Sequence, residues 1–325
     1  MKDKAVIATR GSRLALIQSN IVAEKLNRLG VRTELLIIKT KGDIDQTSPL
    51  QVIGGDGLFV RAIEQTLING LADIAVHSAK DLPYELADGL MIGCTPDEAD
   101  PRDVLITKAP EWRKLASQAG SAGRKPVIGT DSPRRQSELL RLYPDAVTAP
   151  LRGNVPTRIR KLREGRYDGI VLAKAGLDRL NIDPENPEAD ITGLHMHIFG
   201  IGEMIPAPCQ GILAVECRDP KVFAYQSHNE NPDSGGRLPD KSNDEVLLHL
   251  LSQINDEAAF RRFEAERYLF EFLKADCSAA IGVHAKQDNS VITVRGLFGQ
   301  NRAIESGDLK EYKDVCDKVR RSIYK

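Results

Sequence analysis

The sequence predicts an α/β protein, with two α/β units of similar size followed by a small C-terminal α+β part. Three observations carry this. Short β-branched apolar runs alternate with helically spaced stretches from residue 4 to about 100, the alternation restarts near 126 and runs to about 180, and beyond 244 helices and a hairpin replace it. The 325 residues suffice for two or three domains. The expected divisions are 1–99 with 206–218 for the first α/β domain, 104–200 for the second, 226–243 as an exposed linker or insertion, and 244–325 for the α+β domain.

KAVIAT (4–9) reads as a strand, and from Ser12 onward Leu16, Ile17, Ile21, Val22, Leu26 and Leu29 recur with helical spacing. VRTELLIIKT (31–40), ADIAVHS (72–78) and GLMIGCT (89–95) read as further strands, with LFVRAIEQTLING (58–70) as a helix, which implies a largely parallel sheet. After the polar PDEADPRD come a strand at PVIGT (126–130), a helix from Ser132 to about Leu142, a strand at AVTAPL (146–151), a helix over 156–165, a strand within DGIVLAKAG (168–176) and a short helix to Leu180. ILAVECR (212–218) is another strand. Residues 226–243 have almost nothing to bury. Helices at 244–255 and 256–273, a hairpin from AIGVHAK and SVITVRGLFG, and a helix from about 308 to 323 complete the chain.

Composition narrows the function classes. With 41% hydrophobic and 28% charged residues the chain is an ordinary globular protein. Its 45 Lys and Arg against 46 Asp and Glu give a net charge of −1, so no global field draws it to nucleic acid or an anionic membrane, and neither is expected as a partner. No apolar run approaches the ~20 residues that span a bilayer, and the start lacks the apolar core of a signal peptide, so a cytoplasmic protein is expected. Cys94, Cys209, Cys217, Cys277 and Cys316 are odd in number and free of CxxC pairs, against a disulfide framework or a thiolate zinc site. No metal site is expected.

In α/β sheets ligands bind beyond the carboxyl ends of strands. Those loops share a pattern: Thr9-Arg10-Gly11-Ser12, then His77-Ser78-Ala79-Lys80-Asp81, then Thr130-Asp131-Ser132-Pro133-Arg134-Arg135, then Leu151-Arg152-Gly153-Asn154. Each brings Arg or Lys, and three bring a nearby hydroxyl. Guanidinium forks, hydroxyls and helix N-terminal amides hold carboxylates and phosphates, so the pattern implies a cleft between the two α/β domains that takes a polyanion. Asp81 stands out as an acid in a loop otherwise supplying positive charge; there it can stabilise a cation or accept an N–H. The same residues taken singly are rim arginines and helix caps, His77 reads as a packed side chain rather than a base, and the basic run at 152–166 reads as a solvated helix face.

The segments ATRGSRLAL (8–16), GGDGLFVRAIE (54–64), DIAVHSAKDLP (73–83), DPRD (100–103), GTDSPRRQ (129–136), LRGNVPTR (151–158), LAKAGLDRL (172–180) and PAPCQG (206–211), with the region around Cys277, resemble hydroxymethylbilane synthases (porphobilinogen deaminases), in the family's order over nearly the whole chain. The resemblance implies two periplasmic-binding-protein-like α/β domains plus a small C-terminal α+β domain. It implies a transferase of porphyrin, tetrapyrrole and haem biosynthesis that condenses four porphobilinogen units, with release of ammonia, onto a dipyrromethane cofactor held by a thioether on Cys277. It assigns catalysis to Asp81 and Lys80, with Asp81 stabilising the azafulvene cation. Arg10, Ser12, Lys80, Asp81, Thr130, Ser132, Arg134, Arg135, Arg152, Gly153 and Arg158 would surround the cofactor, and Arg10, Ser12, Arg152, Arg158 and Arg179 would meet the substrate carboxylates. Porphobilinogen and its oligopyrrole intermediates are then the partners, and the protein is expected to be a monomer.

The chain departs from the family pattern at several places. Asp56 stands where Lys is typical, Val52 where some members have a further Lys, and Ala275-Asp276 where Gly-Gly precedes the cysteine; Ala79 replaces Met, and Asp131 and Pro133 replace Ser and Leu. Asp276 should raise the neighbouring thiol's pKa and slow cofactor attachment. A cofactor-free degenerate paralogue and an anion-binding protein of the same fold are the alternative readings.

Overall fold

The computed structural model describes residues 4–38, 58–110, 125–183, 186, 191–223, 239–273 and 279–324. Val52, Asp56, Asp276, Cys277 and most of the expected 226–243 linker lie outside them. Contacts divide the chain into two compact units, 1–98 with 212–260 and 99–211 with 261–325.

The first unit is built on a five-stranded sheet of order β2-β1-β3-β10-β4, from β1 (Lys4–Arg10), β2 (Arg32–Ile38), β3 (Ile74–Ser78), β4 (Leu90–Glu98) and β10 (Ile212–Arg218). The expectation of a largely parallel sheet is corrected here: β1 runs parallel to β2 and β3, but β10 is antiparallel to both β3 and β4. The physical reason is connectivity. Adjacent β-helix-β units give parallel neighbours, whereas β10 arrives from far along the chain and enters the sheet from the opposite end.

Helix α1 (Arg13–Arg28) covers one face of this sheet, because Val22, Ala23 and Leu26 share a side and pack with Ile7, Ile74, Val76 and Val215. Helix α6 (Lys241–Ile254) adds Leu247, Leu250 and Leu251 to the same core. It starts three residues before the expected 244, with Asp240 accepting the Ser242 N–H as its cap, so the end of the presumed linker is helical. Helix α2 (Leu58–Ile68) covers the other face through Ile63 and Leu67 against Ala8 and Ala75. Each fully buried Leu or Ile contributes about 1.5–3 kcal/mol of transfer free energy.

The second unit holds another five-stranded sheet, order β7-β6-β8-β5-β9. Its strands are β5 (Asp103–Thr107), β6 (Val127–Gly129), β7 (Val147–Ala149), β8 (Gly169–Ala173) and β9 (His195–Ile198), with helices α3 (Pro133–Leu142), α4 (Val155–Arg163) and α5 (Lys174–Arg179). Strands β5 and β9 are not in the sequence reading, and β5 is antiparallel to both β8 and β9, so this sheet too is mixed. Helix α4 packs Ile159 and Leu162 on Val104, Ile106 and Ile170, and α3 packs Leu139 on Leu105, Ile128 and Val171.

The same unit includes an antiparallel three-stranded sheet of β11 (Ile281–Asp288), β12 (Val291–Phe298) and β13 (Asn301–Asp308). Helices α7 (Glu257–Leu273) and α8 (Tyr312–Ile323) place Leu269, Val315 and Val319 on Val283 and Val294. The expected hairpin is present and gains β13, whose sequence NRAIESGD has too few apolar residues to read as a strand. The architecture is thus the α/β class expected, with a C-terminal sheet and two helices beside it.

Candidate functional site

In the first unit the loop residues sit where strands end. Arg10 closes β1 and is half-buried; Ser12 accepts the Ala15 N–H (3.2 Å) and caps α1. Strand β3 ends at Ser78 and passes directly into a 3-10 turn, Ala79–Asp81. Ala79 and Leu82 point into the protein, Lys80 is half-buried and Asp81 is exposed. Gln18 of α1 donates to Ser78 Oγ (2.8 Å), which ties the start of that turn to α1. On the opposite face His77 is buried against Glu216 of β10, Nε2 to Oε2 3.0 Å, so the reading of His77 as a packed side chain holds.

In the second unit the loops after β6, β7 and β8 hold the remaining predicted residues. Thr130 is buried and accepts the Ser132 N–H at its hydroxyl (3.2 Å), while Ser132 caps α3 by accepting the Arg135 N–H (3.4 Å). Pro133 occupies the first helical position, where its fixed φ and missing N–H suit a helix start. Asp131 accepts the Leu151 N–H (3.2 Å) and pairs with Arg152 (3.3 Å), so this departure from the family pattern joins two of the anion loops. Gly153 has φ +110, and a Cβ there would lie 2.7 Å from Thr157 Cγ2, so the loop requires glycine. Arg158 donates to the Gly153 carbonyl (2.7 Å) and Arg179 to the Gly211 carbonyl (2.8 Å).

Arg134 and Arg135 are more deeply placed than the sequence indicates. Both are buried on Asp103, the first residue of β5. Arg135 donates from Nε and Nη2 to Oδ1 (3.1 and 2.8 Å) and from Nη1 to the Val171 carbonyl (3.0 Å). Arg134 Nη1 lies 2.7 Å from Oδ2 and donates to the Ile205 carbonyl (2.6 Å). Gln210 adds a third contact to Oδ1 (3.0 Å). Burial alone would push the Asp103 carboxyl up, but the two guanidiniums and the hydrogen bonds from Arg134 and Gln210 outweigh it and hold the carboxyl far below the usual range. Asp103 went unremarked in the sequence; its signal was the acid closing DPRD just before an apolar run.

Among the described residues both guanidiniums face the one carboxylate of Asp103, and Arg134 Nε has no hydrogen-bond acceptor. A buried N–H without an acceptor is costly, so this donor fits an anionic group brought by a ligand. The residues present therefore fit a polycarboxylate cofactor such as dipyrromethane. Cys277, its expected anchor, lies outside the described residues. Among the described residues no group of three or more metal-ligating side chains is found, and no helix is long and apolar enough to cross a membrane.

Comparison with known proteins bears on this chemistry. Residues 5–224 match the family model described as porphobilinogen deaminase, dipyrromethane cofactor binding domain. A porphobilinogen deaminase from Brevibacillus brevis is 38% identical over 296 residues, covering 90% of this chain and 84% of its own. One from Bacillus thuringiensis is 37% identical over 300 residues, covering 91% and 85%. Among solved structures, an arginine-specific periplasmic binding protein of Salmonella typhimurium aligns with 79% of this chain and 93% of its own at 10% identity; its TM-score of 0.38 is too low to bear on fold or function. The resemblance read from the motifs is borne out by relatives that match nearly end to end, and the chain belongs to the porphobilinogen deaminase family.

Proposed function

We propose that the protein is a hydroxymethylbilane synthase, which condenses four porphobilinogen units onto a dipyrromethane carried on Cys277 and releases ammonia at each step. The observation that carries the reading is the buried Arg134–Arg135 pair on a single Asp103, with one guanidinium donor still lacking an acceptor. When bound, the cofactor supplies the nucleophilic pyrrole carbon on which the chain is built and the covalent tether that retains it.

The remaining roles belong to the protein's own side chains. Arg134, Arg152 and Arg158 in one unit, and Arg10, Ser12 and Lys80 in the other, are proposed to hold acetate and propionate groups, with Arg179 on the substrate side. Each pyrrole brings two carboxylates, so several cationic loops are needed where one would serve a simple anion. Positive charge develops at the substrate carbon as its amino group departs. Arginines alone would oppose that charge, and Asp81, on an exposed turn beside Lys80, offsets it and accepts pyrrole N–H bonds. The three-domain division read from the sequence remains part of this proposal.

Intact mass of the denatured protein tests the reading. An increment of two porphobilinogen units less two ammonia, absent in Cys277→Ser, is expected. A chain that stays unmodified after incubation with porphobilinogen or hydroxymethylbilane would overturn the synthase reading and favour a protein of the same fold that loads no cofactor.

A further inference from the structure

Asp81 is exposed, so packing of its own side chain does not hold it, and its placement depends on the segment that carries it. That segment is fastened near both ends by buried polar side chains on the α2 face of the sheet. Before the turn, His77 bonds Glu216 (3.0 Å); after it, Glu64 of α2 accepts the Ala87 N–H at Oε1 (3.0 Å). His77, Glu216 and Glu64 are 6%, 0% and 5% exposed. We propose that His77 and Glu64 are positioning residues for Asp81, stapling the two ends of the 78–86 segment to β10 and α2. This rests on Asp81 being the carboxylate that offsets charge in the proposed reaction.

The surroundings favour this over a stabilising role. The three side chains lie on the face where α2 packs Ile63 and Leu67 on Ala75. Apolar residues of similar size would fill that space without the desolvation cost of three ionisable groups. Glu216 bears that cost in full at Oε1, which has no hydrogen-bond partner among the described residues. Polar contacts fix angle and register in a way that apolar packing does not. The ladder pairs His77 with Ala214 and Ser78 with Leu213, so a side chain locked to β10 at His77 sets the strand's rotation just before the turn. Gln18 on the opposite face holds Ser78. Glu64 then fixes where the chain returns, at Ala87. Among the described residues, Glu216, His77 and Arg61 act on Glu64 electrostatically, and burial is the main influence on its carboxyl, pushing it up.

The test compares His77→Phe, His77→Gln, Glu64→Leu and Glu64→Gln with Asp81→Asn as reference. Turnover is measured per cofactor-loaded molecule, with loading counted by denatured mass, and amide hydrogen exchange over 78–87 is followed in the same proteins. His77→Phe and Glu64→Leu should lower kcat about 10²-fold, the cost of misplacing a catalytic group by roughly an ångström, with KM within about twofold. Exchange at Lys80, Asp81 and Leu82 should accelerate. The Gln variants, which keep a donor to Glu216 or an acceptor for Ala87, should recover most of the loss. Where His77→Phe does not fold, Glu216→Met, which removes the acceptor and leaves His77 in place, makes the same comparison. Lower melting points with unchanged kcat per loaded molecule and unchanged exchange would overturn the staple. Full turnover in Asp81→Asn would instead overturn the role given to Asp81, and the exchange rates would still decide whether the staples hold the turn.

Discussion

Replacing Asp103 by Asn should be among the most damaging single changes in the second unit. The carboxylate is fully buried, with Arg134 2.7 Å from one oxygen and Arg135 and Gln210 bonded to the other at 2.8–3.1 Å. The amide keeps one acceptor but turns an NH2 toward a guanidinium, leaving two buried cations with no counter-charge. Removing one partner of a buried pair costs about 3–5 kcal/mol. For a unit of this size that corresponds to a fall of roughly 6–20 °C in the melting midpoint. Thermal unfolding at neutral pH followed by circular dichroism measures it. The pH dependence gives a second reading with a defined sign. Because the native carboxyl is held below its unfolded value, its stabilisation is present above about pH 4 and is lost as pH falls further. The gap between wild type and Asp103→Asn should therefore close in acid. A variant within about 1 kcal/mol of wild type at pH 7, or a gap that persists at low pH, would refute the account of this cluster.

Gly153→Ala should cost roughly 1–3 kcal/mol, since φ +110 is strained for alanine and its Cβ meets both Cγ2 and Cβ of Thr157, and Thr157→Ala, which leaves that Cβ in place, should restore only part of the loss; denaturant titration of the single and double variants measures it. Ser12→Ala removes the acceptor for the Ala15 N–H and should lower stability by about 1 kcal/mol, read from the same titration. The Glu64 carboxyl titrates above its ordinary value, chiefly through burial, so the stability it contributes is complete below about pH 4 and declines as pH rises through the native value. Glu64→Gln should flatten that decline, and an unchanged slope of unfolding free energy against pH would contradict it.

What the sequence made legible was local. The Ser12 and Ser132 caps were visible as hydroxyls ahead of apolar periodicity, and the cationic loops as residues closing β-branched runs. Strands β5, β9 and β13 escaped for different reasons. DVLIT in β5 is wholly buried, yet its partners β8 and β9 lie far along the chain, and β13 alternates polar residues along a sheet edge. The buried acids escaped for the same non-local reason. Asp103, Glu216 and Glu266 look like any acid in a chain that is 28% charged, and only folding brings Asp103 to Arg135, Glu216 to His77, and Glu266 to His284. Arg134 and Arg135 were legible as loop cations, but their burial was not, because a sequence carries no measure of depth.

Buried arginines differ in how fully the described residues satisfy them, and the proposed ligand role of Arg134 can be tested on that difference. Arg218 donates from Nε and Nη2 to Asp244 and from Nη1 to the Leu67 and Ala72 carbonyls, with Asp73 a further 3.8 Å from Nη2, so all three nitrogens are engaged and the cation has two carboxylates beside it. Arg262 is similarly closed on Glu266 and the Gln210 carbonyl. Among the described residues, the Asp103 cluster places two guanidiniums on one carboxylate, and Arg134 Nε has no acceptor. Arg218→Met would strand Asp244 and should cost about 3–5 kcal/mol. Arg134→Met removes the 2.7 Å contact to Asp103 Oδ2 and the bond to Ile205 but leaves Asp103 paired with Arg135, so in protein kept free of cofactor it should cost less than Arg218→Met, about 1–3 kcal/mol. If Arg134 belongs to the proposed anion site, the same variant should lose much of the stabilisation that cofactor loading confers on wild type, since the ligand anion would no longer meet the Arg134 donor. Melting points of unloaded and loaded protein for both variants decide the matter. Equal losses in the unloaded state would place Arg134 with Arg218 as part of the fold, and an undiminished loading shift in Arg134→Met would remove it from the anion site.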